Sequence, residues 1–204
     1  MITKDQIYEL SRKYKINEAT ILREYIQLYF LSKLYSFSGS KNIFFKGGTA
    51  VHFIYQSSRF SEDLDFTVEE KEEKFKSFIN IFFETLKKEE PIDFKERKTI
   101  AGRRYLLTYI PSIVNFKVFI NLDFSFREKI LLKEKSIINT DFPVIFHSYI
   151  KHLDKDELLA EKIRAFLKRQ EGRDIYDIWY LLNKKAVLNE KIILENLKYY
   201  KIDS

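Results

Sequence analysis

Apolar residues recur along this chain with two different periods, and the switches between them predict its elements. Helical spacing comes first, in one helix capped by Thr3 and ending near Tyr14 and a second capped by Asn17 and ending near Tyr35. A short apolar strand follows over residues 42–46, and Gly47, Gly48 and Thr49 turn it into an amphipathic helix running to about Gln56. From Asp63 to Val68 the period becomes two, with Leu64, Phe66 and Val68 alternating with Asp63, Asp65 and Thr67. The same alternation over residues 117–126 puts Asn121, Asp123 and Ser125 on one face and Leu122, Phe124 and Phe126 on the other. Between these strands, Phe75, Phe78, Ile79, Phe82 and Leu86 mark an amphipathic helix over 71–89. Residues 94–110 and 115–126 read as an antiparallel pair, and a short strand around Val144 precedes helices over 156–169 and 173–183. The pattern predicts an α/β (α+β) fold: a mixed sheet with helices on one face and the candidate site on the other. A core over 1–152 is expected to carry a helical C-terminal part, 153–204, that closes the cleft.

Composition narrows the class. The 204 residues, 45% hydrophobic and 16% aromatic, suffice for one good core or a core with a small subdomain. With 5 glycines and 3 prolines there is no low-complexity linker, and no internal repeat is visible. No apolar run approaches the roughly 20 residues that span a bilayer, and the opening MITKDQIYEL lacks a signal-peptide core, so a soluble, cytoplasmic chain with no membrane partner is expected. The absence of cysteine removes disulfides, thiol nucleophiles and Cys-zinc sites. His52, His147 and His152 show neither HxxxH nor HExxH spacing, and none is spaced as a base for Ser61, so any metal should be a hard, oxygen-binding ion.

Candidate chemistry concentrates between Phe44 and Val68. Same-face residues on a strand lie roughly 6.5 to 7 Å apart, so Asp63 and Asp65 can bracket divalent cations that bridge nucleotide phosphates; the alternative is a charged strand edge. Asp123 is a third candidate carboxylate, and three converging acids repel one another unless cations such as Mg²⁺ or Mn²⁺ neutralise them. Upstream, Gly47 and Gly48 let backbone approach a ligand at a helix N-terminus suited to a triphosphate, with Thr49 adding a hydroxyl donor and Lys46 a point charge. Lys162 falls within the apolar stripe of its helix, between Leu158, Leu159, Ile163 and Phe166, either snorkelling to water or facing an acidic or phosphate-filled cleft. Arg173 and Asp177 stand at i, i+4, which by itself describes a surface ion pair. Arg59 and Ser61, just before the acidic strand, face either the nucleotide or solvent. The net charge of +6 places excess positive charge outside the acidic site. Clusters at Arg12 to Lys15, Lys95 to Arg104 and Lys162 to Arg173 are either solvated faces or a surface for a polyanionic acceptor. Tyr105, Tyr109, Tyr176 and Tyr180 could stack on bases, or serve packing alone.

Five blocks in order, KGGTA, RFSEDLDF, INLDFSFR, ELLAEKIRAFLKR and RDIYDIWYLL, run from Lys46 to Leu182 and resemble the AbiEii/AbiGii group of nucleotidyltransferase-like toxins, related to the MenT toxins. The resemblance implies a DNA-polymerase-β-like nucleotidyltransferase core. It would move a nucleoside monophosphate from an NTP to an acceptor, often the 3′ end of tRNA, as the toxin of a toxin–antitoxin pair in abortive phage defence, with a cognate antitoxin. Carried over by position, Gly47, Gly48 and Thr49 would hold phosphates, Asp63 and Asp65 magnesium, and Lys162 the triphosphate. Arg173 with Asp177 would complete the site, with Asp174 as the alternative carboxylate. The third-strand acid is more often Glu in that group, so Asp123 reaches less far. The same apparatus could nucleotidylate a protein or small molecule or transfer a γ-phosphate, and a non-catalytic binding module is the reading from a different class.

Overall fold

Two capped helices open the chain in the computed structural model, which describes residues 2–198. The Thr3 hydroxyl accepts from the Gln6 N–H while the Gln6 side chain accepts from the Thr3 N–H, a reciprocal box that starts α1 (Lys4–Tyr14). Asn17 accepts from the Thr20 N–H and starts α2 (Glu18–Ser36). Both starts match the sequence pattern. Ile21, Leu22, Ile26, Phe30 and Leu34 are all fully buried, so α2 is apolar around most of its circumference and lies within the core.

The chain continues as β1 (Ile43–Lys46), α3 (Gly47–Phe53), β2 (Leu64–Val68) and α4 (Glu72–Glu89). It then forms β3 (Ile92–Arg97), β4 (Arg103–Tyr109), β5 (Val118–Ser125), β6 (Lys133–Ser136) and β7 (Ile150–Leu153). Three helices close the described chain: α5 (Lys155–Arg169), α6 (Gly172–Asn183) and α7 (Glu190–Lys198). Among the described residues, seven strands join one mixed sheet in the order β3-β4-β5-β2-β1-β7-β6. The β2·β5 and β1·β7 pairs are parallel and the others antiparallel. One face is packed by aromatic rings from α2 and α4: Phe30 meets Phe66 and Phe82, and Phe75 meets Phe124. The opposite face of β2 and β5 carries the polar residues, as the alternation predicts.

Three details differ from the sequence expectation. Residues 94–110 form no single strand but the β3–β4 hairpin, because Gly102 takes φ +77 and approaches the Phe124 carbonyl so closely that a Cβ would overlap it. No strand forms at Val144; the segment before α5 enters the sheet at β7 instead. Its partner β6, sequence KEKS, has no apolar alternation to reveal it and makes a charged edge. The expected boundary after residue 152 falls inside β7, before its last residue, and residues 199–204 of the expected C-terminal part lie outside the described residues. Among the described residues no helix is long and apolar enough to cross a membrane.

Candidate active site

Register assembles the floor of the site. β2 and β5 run parallel with Leu64 beside Leu122, Asp65 beside Asp123 and Phe66 beside Phe124, so the two aspartates leave the same face side by side. β1 places Lys46 opposite Asp65, and β4 places Arg104 opposite Asp123. Four adjacent strands thus present the row Lys46, Asp65, Asp123, Arg104. Neighbouring strands lie about 4.8 Å apart, which sets the two carboxylates against each other. Burial and the Asp123 charge push Asp65 up to about 6, against the pull of Lys46 and Lys162. Asp123 accepts from Arg104 Nε at 2.6 Å. Lys46 Nζ lies 2.8 Å from Glu161 Oε1 and 3.5 Å from Glu128 Oε1.

The glycine pair has a geometric reason. Gly47 takes φ +78, and a Cβ there would overlap Asp65 Oδ2; a Cβ at Gly48 would overlap the Arg59 guanidinium. Thr49 corrects its expected role as a phosphate donor: it is fully buried, and its hydroxyl donates to the Asp63 carbonyl, tying α3 to the entry of β2. Asp63 is also placed differently. It precedes β2, and its Oδ1 accepts from the Asn121 side-chain amide at 2.9 Å. Asp65 therefore has two acidic neighbours, Asp123 directly beside it on β5 and Asp63 just before β2, and both charges push its pKa up. Ser61 lines a separate cavity beside Arg23 and Glu24, because the segment before β2 turns toward α2, where Gln27 Nε2 donates to the Ser61 carbonyl.

α5 supplies the wall. Lys162 is buried, and its Nζ lies 2.7 Å from Asp177 Oδ2 and 3.9 Å from Asp174 Oδ1. Asp177, fully buried, also accepts from Arg59 Nε at 2.8 Å and Nη2 at 2.7 Å. Asp174, equally buried, accepts from Arg169 Nε at 2.6 Å and Nη2 at 2.7 Å. Arg173, expected to complete the site with Asp177, points elsewhere and pairs with Glu171 at 2.5 Å on the surface. The reason is competition. Arg59 offers Asp177 a bidentate fork from across the fold, and the buried face of α6 is the one carrying Asp174, Asp177 and Leu181. The apolar residues Ile175, Trp179 and Leu182 consequently face solvent.

Row and wall enclose a cleft of about 540 Å³ lined by seven Lys and Arg against four Asp and Glu. Of the expected residues it gathers Lys46, Gly47, Asp65, Asp123 and Lys162. Gly48, Thr49, Arg59 and Asp177 support it, Ser61 Oγ lies with the Arg59 guanidinium against Gly48, Asp63 acts by its charge on Asp65 and Arg104, and Arg173 stands apart. The sequence reading missed Glu161, which carries no periodic signal of its own, and had Arg104, Arg164, Lys168 and Arg169 only as parts of two basic clusters. No group of three or more His, Asp or Glu among the described residues is placed to hold a metal alone. Two adjacent carboxylates, one raised by the other, fit a hard divalent cation that takes its remaining ligands from water and substrate phosphate.

A family model described as nucleotidyl transferase AbiEii toxin, type IV TA system, matches residues 29–202. Curated proteins supply no match to this sequence. Among solved structures, JHP933 from Helicobacter pylori aligns with TM-score 0.62 and 19% identity over 92% of this chain and 81% of its own. A candidate nucleotidyltransferase from H. pylori aligns with TM-score 0.61 and 20% identity over 91% of this chain and 78% of its own. At such identities the likeness is one of fold.

Proposed function

Because this chain belongs to the AbiEii nucleotidyl transferase toxin family of type IV toxin–antitoxin systems, we propose that it transfers a nucleoside monophosphate from an NTP to an acceptor hydroxyl, at the 3′ end of a tRNA, with a divalent cation. The observation that carries the reading is the Asp65–Asp123 pair on the floor of a cleft whose lining has more cations than acids. An acidic pair alone would repel a triphosphate, and a basic cleft alone would bind one without chemistry.

In this reading Asp65 and Asp123 hold magnesium or manganese, which when bound neutralises phosphate charge and lowers the pKa of the attacking hydroxyl. Lys162, oriented by Asp177, binds the triphosphate, and Lys46 adds charge beside it. Gly47 keeps backbone low at the start of α3, leaving room for Asp65. The acceptor oxygen attacks the α-phosphorus in line, the bond to the bridging oxygen breaks, and pyrophosphate leaves. Asp123 is the nearby group suited to take the hydroxyl proton. The basic excess suits a polyanionic acceptor, and family membership implies a cognate antitoxin as partner.

The test is incubation with Mg²⁺, total tRNA and each NTP labelled at the α or γ phosphorus, with and without EDTA. Label from the α position in tRNA, abolished by EDTA, is the expected result. Label from the γ position would make the protein a kinase, and wild-type protein that labels no RNA would overturn the tRNA assignment.

A further inference from the structure

Four cations of the cleft have defined acidic partners, and they differ in kind. Lys162 is held by the fully buried Asp177, Arg169 by the fully buried Asp174, and Lys46 by Glu161 on the wall. Arg104 instead takes its partner from the candidate cation-binding pair itself, donating from Nε to Asp123 Oδ1 at 2.6 Å. The pair is also the most open of these: its side chains are 46% and 26% exposed. Strand pairing does not depend on it, since β4 and β5 stay in register from Arg103 beside Phe124 to Tyr109 beside Val118 through backbone bonds. Nor does any other group on the row neutralise Asp123 directly: Asp65 beside it is like-charged, and Lys46 stands one strand further away, beyond Asp65.

A guanidinium fits carboxylate and phosphate oxygens equally well, and a half-exposed ion pair is weak, so its exchange from one anion to the other costs little. While Arg104 sits on Asp123, a divalent cation approaching that carboxylate meets both an occupied oxygen and a like charge. We propose that Arg104 is a nucleotide-binding residue that also guards the acidic pair: it neutralises Asp123 in the empty cleft, and transfers to a phosphate of the entering NTP. The transfer frees the carboxylate for the cation that travels with the nucleotide. This rests on the nucleotidyltransferase reading and adds to it an ordered coupling, in which cation and nucleotide load together and the cation alone binds poorly.

The coupling gives Arg104→Ala effects of opposite sign, which a residue serving only stability would not. Mn²⁺ binding without nucleotide, followed by the electron paramagnetic resonance signal of the free ion, is expected to tighten by roughly threefold to tenfold in the variant. Binding of each Mg²⁺–ribonucleoside triphosphate, measured by equilibrium dialysis, is expected to weaken about tenfold. Arg104→Lys, which keeps the charge but loses the fork, should fall between, and thermal melts establish that both variants fold. Unchanged or weaker Mn²⁺ binding in folded Arg104→Ala overturns the guarding role, and unchanged nucleotide binding overturns the phosphate role. Wild-type protein that binds Mn²⁺ but no NTP would instead sink the nucleotidyltransferase reading and this proposal with it. That outcome is recognisable because the defect is already present before any substitution.

Discussion

Asp65 stands where its charge is costly in the absence of a cation, beside Asp123 and partly withdrawn from water. Asp65→Asn keeps the shape and removes the repulsion, so in EDTA near pH 8 the variant is expected to be more stable than the wild type, by about 1–3 kcal/mol in urea unfolding. Nucleotide transfer should fall by roughly a thousandfold in the same variant. A variant that turned over at near-native rates would refute the assignment of Asp65. His52 carries a second residue-scale prediction. Burial alone would lower its pKa, but the Glu24 carboxylate on Nε2 and the Ser57 carbonyl on Nδ1 raise it, because the charged ring can donate to both acceptors. A folded-state pKa raised above the unfolded value stabilises the protein fully below the unfolded pKa, and that stabilisation is lost as pH rises through the raised one. Denaturation midpoints across this range should therefore fall with pH in the wild type and flatten in Glu24→Gln; parallel profiles would dismiss the pair. At this scale Asp65 and Asp123 were legible because period-2 alternation fixes which face a strand residue takes. Thr49 was not, because a hydroxyl that donates to phosphate and one that donates to a buried carbonyl look the same in sequence.

Element boundaries were largely legible and element orientation was not. Thr3 and Asn17 mark their helices through local hydrogen bonds that need no tertiary context, so pattern and structure agree. α6 shows the opposite case. Its apolar residues Ile175, Ile178, Trp179 and Leu182 predict one buried face, but of these Ile178 packs against the core while the other three are exposed, because the ion pairs of Asp174 and Asp177 with Arg169, Arg59 and Lys162 turn another face inward. Removing one partner from a buried ionic network leaves the others uncompensated. Asp177→Ala is therefore expected to cost about 3–5 kcal/mol, and to weaken NTP binding by releasing Lys162. Arg173→Ala, which breaks only a surface pair, should change stability by less than about 0.5 kcal/mol and leave transfer intact. Equal losses in urea unfolding would show that the two positions act together after all. The acidic site shows the same limit. Asp63 and Asp65 read as neighbours along one strand, but β2 starts only at Leu64, and strand register adds Asp123 of β5 directly beside Asp65.

Across the whole molecule, a net charge of +6 and a cleft with seven cations against four acids give an electrostatic footprint that salt should screen. Binding of tRNA is expected to weaken on the order of tenfold to a hundredfold between about 50 and 500 mM KCl, in a linear log–log plot. Affinity that ignores salt would mean that the acceptor docks elsewhere. The site itself is a property of the sheet order: β5, far from β2 in sequence, is inserted beside it, and β4 and β1 flank the two.

The sequence by itself determined the helix starts, the faces of β2 and β5, the glycine turn after β1 and the family resemblance, because caps, alternation and short motifs act within a few residues. Only the tertiary structure decided that Asp65 meets Asp123, that Arg104 covers it, that Asp177 binds Arg59 and Lys162, and that Arg173 stays outside. Those outcomes depend on strand register and on competition among charges distant in the chain, and neither leaves a mark on any single window of residues.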